Sequence, residues 1–247
     1  VKSPIRVIFF DLGNTLIYDK ESWTGLYQLA DNALWKSLRA SGAHSSPREI
    51  YGEHETLFHY YYKLRENDLD EPGITTVLKG LLKNKNITVP EEKLHEAMLA
   101  MYAVTQANWF VEDDAIPTLR TLKERGFRLG IISNGADDEN TYTLIDNANL
   151  HQFFEFIISS AKHGKRKPHP AIFRYALDHF KIPAEQTIMV GDTFDADIIG
   201  ARAVGMNSIW VTRRARETEP DSQVRPDAVV SSLAEIPALL SNNKIHP

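Results

Sequence analysis

From Asp113 onward, short apolar runs alternate with amphipathic stretches, and this alternation constrains the fold more than any other feature of the chain. The runs at 128–132, 156–159, 187–190, 208–211 and 228–230 are too short for helices and are bounded by turn residues, as buried strands are. Between them lie helical faces. Leu119 and Leu122 end at Gly126, and a helix is expected over 138–149. Ile172, Phe173, Ala176, Leu177 and Phe180 share one face, 195–204 stops at Gly205, and 233–240 closes the series. Strand–helix alternation implies a parallel sheet covered by helices on both faces and joined by right-handed crossovers. One further run belongs to this set. Val7, Ile8, Phe9 and Phe10 lead straight into Asp11, followed by the turn residues Gly13, Asn14 and Thr15. A continuous apolar quartet reads as a strand buried on both faces.

Between these parts the period changes. Residues 19–111 carry helical faces without a strand, and four helices are expected. Leu26, Leu29, Ala30, Ala33, Leu34 and Leu38 make the first face, with Gly42 as its stop. A second helix starts near Pro47 and carries Ile50, Leu57, Phe58, Tyr61 and Leu64. Ile74, Val77, Leu78, Leu81 and Leu82 form a third stripe. The fourth opens with Pro90, Glu91 and Glu92 and buries Leu94, Ala97, Met98, Met101 and Tyr102. Such a segment reads as a small bundle inserted into the sheet domain. The expected division is therefore an α/β core of 1–18 and 112–247 and a helical insert of 19–111.

Composition removes several function classes. A net charge of −5 offers no broad field for nucleic acid or anionic membrane. The chain has no cysteine, which excludes disulfides and thiolate metal sites and suits a reducing cytoplasmic setting. No apolar run approaches membrane-spanning length, and the quartet after Arg6 is too short for a secretory signal. Gly200 and Gly205 make no dinucleotide fingerprint, and no Walker-type loop occurs. Arg213, Arg214 and Arg216 are interleaved with Glu217, Glu219 and Asp221 and read as a solvated loop.

Three strands end in Asp11, Ser133 and Asp192, and Lys167 lies in the basic loop GKRKPHP after a fourth. In a parallel sheet these ends share one edge, so groups distant in sequence converge there. Two carboxylates, a hydroxyl and an ammonium form a coherent set for phosphoryl transfer. A carboxylate can attack phosphorus. Two anions facing a phosphate need a hard cation such as Mg²⁺, and Lys167 and Ser133 would hold phosphoryl oxygens.

These residues lie in four ordered motifs: DLGNT from Asp11 to Thr15, IISNG around Ser133, KPHPAIF from Lys167 to Phe173, and VGDTFDAD with Asp192 and Asp197. Together they resemble the haloacid dehalogenase superfamily, in the branch with a helical cap inserted after the first motif. The resemblance implies a Rossmann-like parallel sheet core and a hydrolase of small phosphorylated metabolites. It implies Asp11 as nucleophile, Mg²⁺ held by Asp11, the Gly13 carbonyl and Asp192, and Ser133 and Lys167 on the phosphoryl group. It also implies that the helical insert reads the substrate; Tyr60, Tyr61 and Tyr62 cluster there with His54 and His59, and bundle core is the default for at least half of these side chains. A monomer or homodimer is expected, with no nucleic-acid or membrane partner.

One position departs from the family pattern. Most phosphatases of the superfamily carry a second Asp two residues after the nucleophile as acid/base; here that residue is Gly13. The metal-binding carbonyl is kept and the acid/base is lost. The superfamily's dehalogenases also lack that Asp, but their fourth motif is not the metal-binding form seen at Gly191 and Asp192. Its phosphonate hydrolases use a cap lysine, for which Lys20, Lys36 and Lys63 are the candidates. A non-catalytic phosphate-binding or interaction protein is the rival from another class. Asp197 either orders Lys167 and tunes the metal's surroundings or is a helix-start acid, as Asp195 is. Asn134 either assists Ser133 at the substrate or serves the turn. Thr15 bonds within the turn or on the phosphate side. His169 stands where the family usually has Asp and reads as a loop histidine.

Overall fold

The structure is a computed structural model of the chain and describes residues 4–42, 45–52, 55–66, 68–216 and 223–241. His54, Glu217, Glu219 and Asp221 lie outside the described residues. The chain divides into two compact units, Val1–Tyr18 with Phe110–Pro247, and Asp19–Trp109. It opens with β1 (Val7–Phe10), whose four residues are fully buried, and a short β2 (Ile17–Asp19).

The helical unit contains α1 (Trp23–Ala40), α2 (Pro47–Tyr51), α3 (Leu57–Leu64), α4 (Ile74–Asn84) and α5 (Glu91–Gln106). The periodicity predicts one helix across the second stretch, but the chain forms two. Gly52, with φ +109°, ends α2, and Thr56 caps α3 by accepting the His59 N–H. The inner face of α1 also differs from its expected stripe. Ala30, Asp31, Leu34, Trp35 and Leu38 are buried, whereas Leu29 is exposed. Polar anchors explain the rotation: Asp31 accepts the Leu57 N–H at 3.0 Å and the Tyr51 hydroxyl, and Trp35 Nε1 donates to that same hydroxyl. In α3, Tyr61 is buried with its hydroxyl on Glu71, while Leu64 and Tyr62 stay exposed. Glu71 in turn pairs with Arg65 at 3.0 Å.

The remainder supplies the other five strands of the main sheet and one short strand outside it. It comprises β3 (Trp109–Val111), α6 (Ala115–Glu124), β4 (Arg128–Ser133), α7 (Asp138–Asn147), β5 (Phe156–Ser159), α8 (Ser160–His163) and α9 (Pro170–Phe180). Then follow β6 (Thr187–Gly191), a π-helical turn (Phe194–Ile199), α10 (Gly200–Ala203), β7 (Asn207–Val211), β8 (Ala228–Val230) and α11 (Ile236–Ser241). Six strands pair in the order β5-β4-β1-β6-β7-β8, all parallel. This is the α/β parallel sheet that the alternation predicts. The three-residue strands β2 and β3 pair with each other in a separate sheet. They fall in a stretch where the sequence pattern shows only helix, because three residues are too few to display a period of two.

Packing fixes β1 at the centre. Phe9 meets Phe180 edge-to-face at 5.3 Å within a cluster that includes Ile132, Ile172, Phe173 and Met189. A Cβ on Gly130 would come within 2.9 Å of the Phe9 ring, so β4 has a glycine beside it. The chain continues from β1's neighbours outward on both sides, which puts the carboxyl end of β1 at the reversal of strand order. In open α/β sheets that is where ligand crevices form.

Candidate active site

Register brings the strand ends together. Phe10 lies beside Ile131 of β4 and Val190 of β6, so Asp11, Ser133 and Asp192 all follow at one edge. The Asp11 N–H still donates to Val190 O at 2.9 Å. After Asp11 the chain turns sharply. Leu16 and Ile17 donate to Leu12 O at 2.9 and 3.0 Å, and Asn14 takes a left-handed φ of +57°, which asparagine tolerates better than most residues. Gly13 lies partly exposed in that turn.

The loop after α8 returns Lys167 to the same edge. Its side chain is almost dry, and Nζ lies 2.7 Å from Asp11 Oδ1 and 2.6 Å from Asp197 Oδ1. Burial works against the ammonium, but the charges of Asp11 and Asp197 outweigh it and hold its pKa above the ordinary lysine range. Asp197, in the π-helical turn, is fully buried and packs against Gly191. A regular helix is the sequence expectation here; the segment is π-helical, and Asp197 within it meets the lysine. Its other oxygen accepts the Thr193 N–H at 3.0 Å. Asp195, two residues earlier, is exposed.

Asp192 receives the Thr15 hydroxyl at 3.2 Å. Its carboxyl is pushed up to about 8 by burial and by the neighbouring charges of Asp11 and Asp197. Burial likewise raises Asp197 to about 7, with Lys167 opposing the shift. Asp11, Asp192 and Asp197 each offer a carboxylate oxygen, all within 4.8 Å of one another. Such a buried set of hard oxygen donors fits a hard divalent cation, whose charge would offset the burial and repulsion that raise both pKa values.

Two further residues are placed differently from their simplest reading. The Asn134 amide is engaged with the backbone of Lys167: Nδ2 donates to Lys167 O at 3.0 Å, and Oδ1 accepts its N–H at 2.7 Å. His169 caps α9, its Nδ1 accepting the Ala171 N–H at 3.1 Å. Arg213 and Arg214 do not stand free in a solvated loop. Arg213 pairs with Glu112 and Asp114, and Arg214 pairs with Glu112 and lies over the Tyr18 ring. Lys20, Lys36 and Lys63 are exposed.

One site residue escapes the sequence reading. Trp210 Nε1 donates to the Asp192 carbonyl at 2.8 Å, and its ring meets Phe194 edge-on at 5.4 Å. The available signal is that an indole in a buried strand needs an acceptor.

The model of the haloacid dehalogenase-like hydrolase family matches residues 5–205. The chain belongs to this family. As a haloacid dehalogenase-like hydrolase it is similar to the glyceraldehyde 3-phosphate phosphatase of Pyrococcus abyssi, 33% identical over 83% of this chain and 81% of that one. The protein of the same name from Pyrococcus furiosus is 30% identical over 98% of both chains. Among solved structures, a 2-haloacid dehalogenase from Pseudomonas syringae pv. Tomato DC3000 matches with a TM-score of 0.70 and 26% identity, covering 96% of this chain and 99% of that one. The family explains the ordered motifs, and the enzyme class is hydrolase. No helix among the described residues is long and apolar enough to cross a membrane.

Proposed function

We propose that this chain is a Mg²⁺-dependent phosphohydrolase of small phosphorylated metabolites, with Asp11 as nucleophile. One observation carries the reading: a nearly dry Lys167 ammonium sits 2.7 Å from Asp11 Oδ1 and 2.6 Å from Asp197 Oδ1 at the strand-end edge. It orients the carboxylate and lends fixed positive charge to an incoming phosphoryl group. The two Pyrococcus phosphatases support the substrate class. A cytoplasmic setting is part of the same reading and rests on the cysteine-free composition.

In this reaction an Asp11 oxygen bonds to phosphorus as the ester P–O bond breaks. The leaving oxygen keeps the electron pair and takes a proton from water. A water oxygen then attacks the phosphorus of the aspartyl-phosphate, orthophosphate departs, and the carboxylate is restored. Ser133 and Lys167 hold phosphoryl oxygens through both steps. Asp11, the Gly13 carbonyl and Asp192 would hold Mg²⁺, which supplies charge neutralisation for an anion entering a group of carboxylates. Gly13 brings no carboxyl to protonate the leaving oxygen or to activate water. General acid–base help is worth about 10²–10⁴-fold. Substrates with good leaving groups, such as anomeric or acyl phosphates, are therefore favoured, and the aspartyl-phosphate is long-lived.

Phosphate release from a panel of phosphate esters with Mg²⁺, and rapid-quench mass spectrometry, test this. Asp11→Asn is expected to abolish release, and an adduct on Asp11 is expected to accumulate. Fast turnover of simple alkyl phosphates without an adduct overturns the leaving-group restriction; activity retained in Asp11→Asn overturns the nucleophile. A second reading rests on the 26% identical 2-haloacid dehalogenase together with Gly13, since dehalogenases also lack the second Asp. Halide release from 2-haloacids without metal would establish it in place of the first.

A further inference from the structure

We infer that the side chain of Asn134 is a positioning group that acts through Lys167. The inference rests on the proposed phosphohydrolase reading for its kinetic arm and on geometry alone for the rest. β4 ends at Ser133, and the next side chain turns toward the loop that carries Lys167. Asn134 donates Nδ2–H to Lys167 O at 3.0 Å and accepts Lys167 N–H on Oδ1 at 2.7 Å. Both backbone groups of Lys167 are thus satisfied by one planar amide, as a residue of a neighbouring strand would satisfy them.

The clamp matters because of what Lys167 must do. Its chain is long and flexible, yet Nζ has to reach two carboxylates at 2.7 and 2.6 Å in a dry site. Lys167 lies in an irregular loop, so its position depends on side-chain anchors, and Asn134 provides two bonds to it. Ser133 and Asn134 are adjacent, so the clamp also sets the spacing between the Ser133 hydroxyl and the Lys167 ammonium. Both groups are assigned to one phosphoryl group. The opposite assignment, Asn134 as a phosphate ligand, meets a chemical limit. One amide hydrogen is committed to Lys167 O and the amide oxygen accepts the Lys167 N–H, which leaves a single amide hydrogen for an anion.

A double-mutant cycle tests the inference, using Asn134→Ala, Lys167→Met and the pair, with kcat and the orthophosphate dissociation constant as readouts. Misplacement of a reacting group on the ångström scale costs up to about 10²-fold, so Asn134→Ala is expected to lower kcat roughly 10- to 100-fold. In the Lys167→Met background the same change is expected to cost less than about twofold, because residues acting through one group are not additive. Asn134→Asp keeps the acceptor but sets an oxygen against Lys167 O, and it is expected to behave like Asn134→Ala. Amide hydrogen exchange at Lys167 is expected to accelerate in Asn134→Ala. Additive effects, or a weaker phosphate affinity with kcat unchanged, would make Asn134 a direct ligand and overturn the inference. A lowered melting temperature with unaltered kcat and unaltered exchange would make it merely structural and also overturn it. If Lys167→Met does not fold, Lys167→Gln takes its place. If the wild type hydrolyses no ester, the phosphohydrolase reading has failed, while the cycle read on phosphate affinity and the exchange rate still judge Asn134.

Discussion

A methyl group on Gly191 would stand 2.1 Å from an Asp197 carboxylate oxygen and 2.2 Å from its carbon. Asp197 has nowhere to retreat, being fully buried and bonded to both Lys167 and the Thr193 N–H. Gly191→Ala is therefore expected to displace Asp197, cost about 1–3 kcal/mol of stability as overpacking does, and lower kcat by misplacing Lys167. Chemical denaturation and steady-state rates check this; wild-type values for both would sink it. Single residues also mark where sequence reading stops. The strand-end placement of Asp11, Ser133 and Asp192 is legible because each ends or follows an apolar run, a local property. Trp210 is not legible as a partner of Asp192, because its bond exists only once β7 has paired with β6 in one register. Asn134 is visible as a polar residue at a strand end, but its target lies 33 positions away.

At the scale of elements, one carboxylate ties three helices. Asp31 of α1 accepts from the Tyr51 hydroxyl of α2 and the Leu57 N–H that opens α3, while its Oδ2 is buried without a hydrogen-bond partner. Burial raises its pKa, against the opposing effects of these two bonds and the charge of His59. A raised folded-state pKa means that the proton favours the fold. The contribution is complete below the unfolded carboxylate value of about 3.9 and is lost as pH rises through the folded value above it. Asp31→Asn keeps the shape without the charge. Its melting temperature is expected to gain on the wild type as pH rises from acid, and the two curves should converge at low pH. Parallel curves across the range would rule the idea out. The stripes of α4 and α5 were legible from spacing, because burial there follows helical period. The rotation of α1 was not, since hydropathy counts Asp31 as a surface residue.

For the whole molecule, two buried carboxyls of the candidate site couple the fold to pH. Asp192 and Asp197 are raised to about 8 and about 7, so their protonation favours the folded state. That contribution is complete below about pH 4 and is lost as pH climbs through those values. In EDTA the melting temperature is expected to fall across this window. Under the proposed reading, Mg²⁺ at about a hundred times its dissociation constant is expected to stabilise by about 2.7 kcal/mol, roughly 5–10 °C for a chain of this size. The increment is expected to grow with pH and to vanish in Asp192→Asn; thermal melts with equal increments at acid and alkaline pH would refute it. The parallel α/β class, the run of helical faces before Asp113 and the four motifs can be read along the chain, because hydrophobic period and turn chemistry act over a few residues. Packing brings Lys167 and Asp11, 156 positions apart, into an ion pair, sets Asp197 of the π-helical turn against that lysine, and places the Asn134 amide on its backbone. Those outcomes depend on strand register and loop return, which arise from the simultaneous packing of distant segments and leave no periodic trace in the chain.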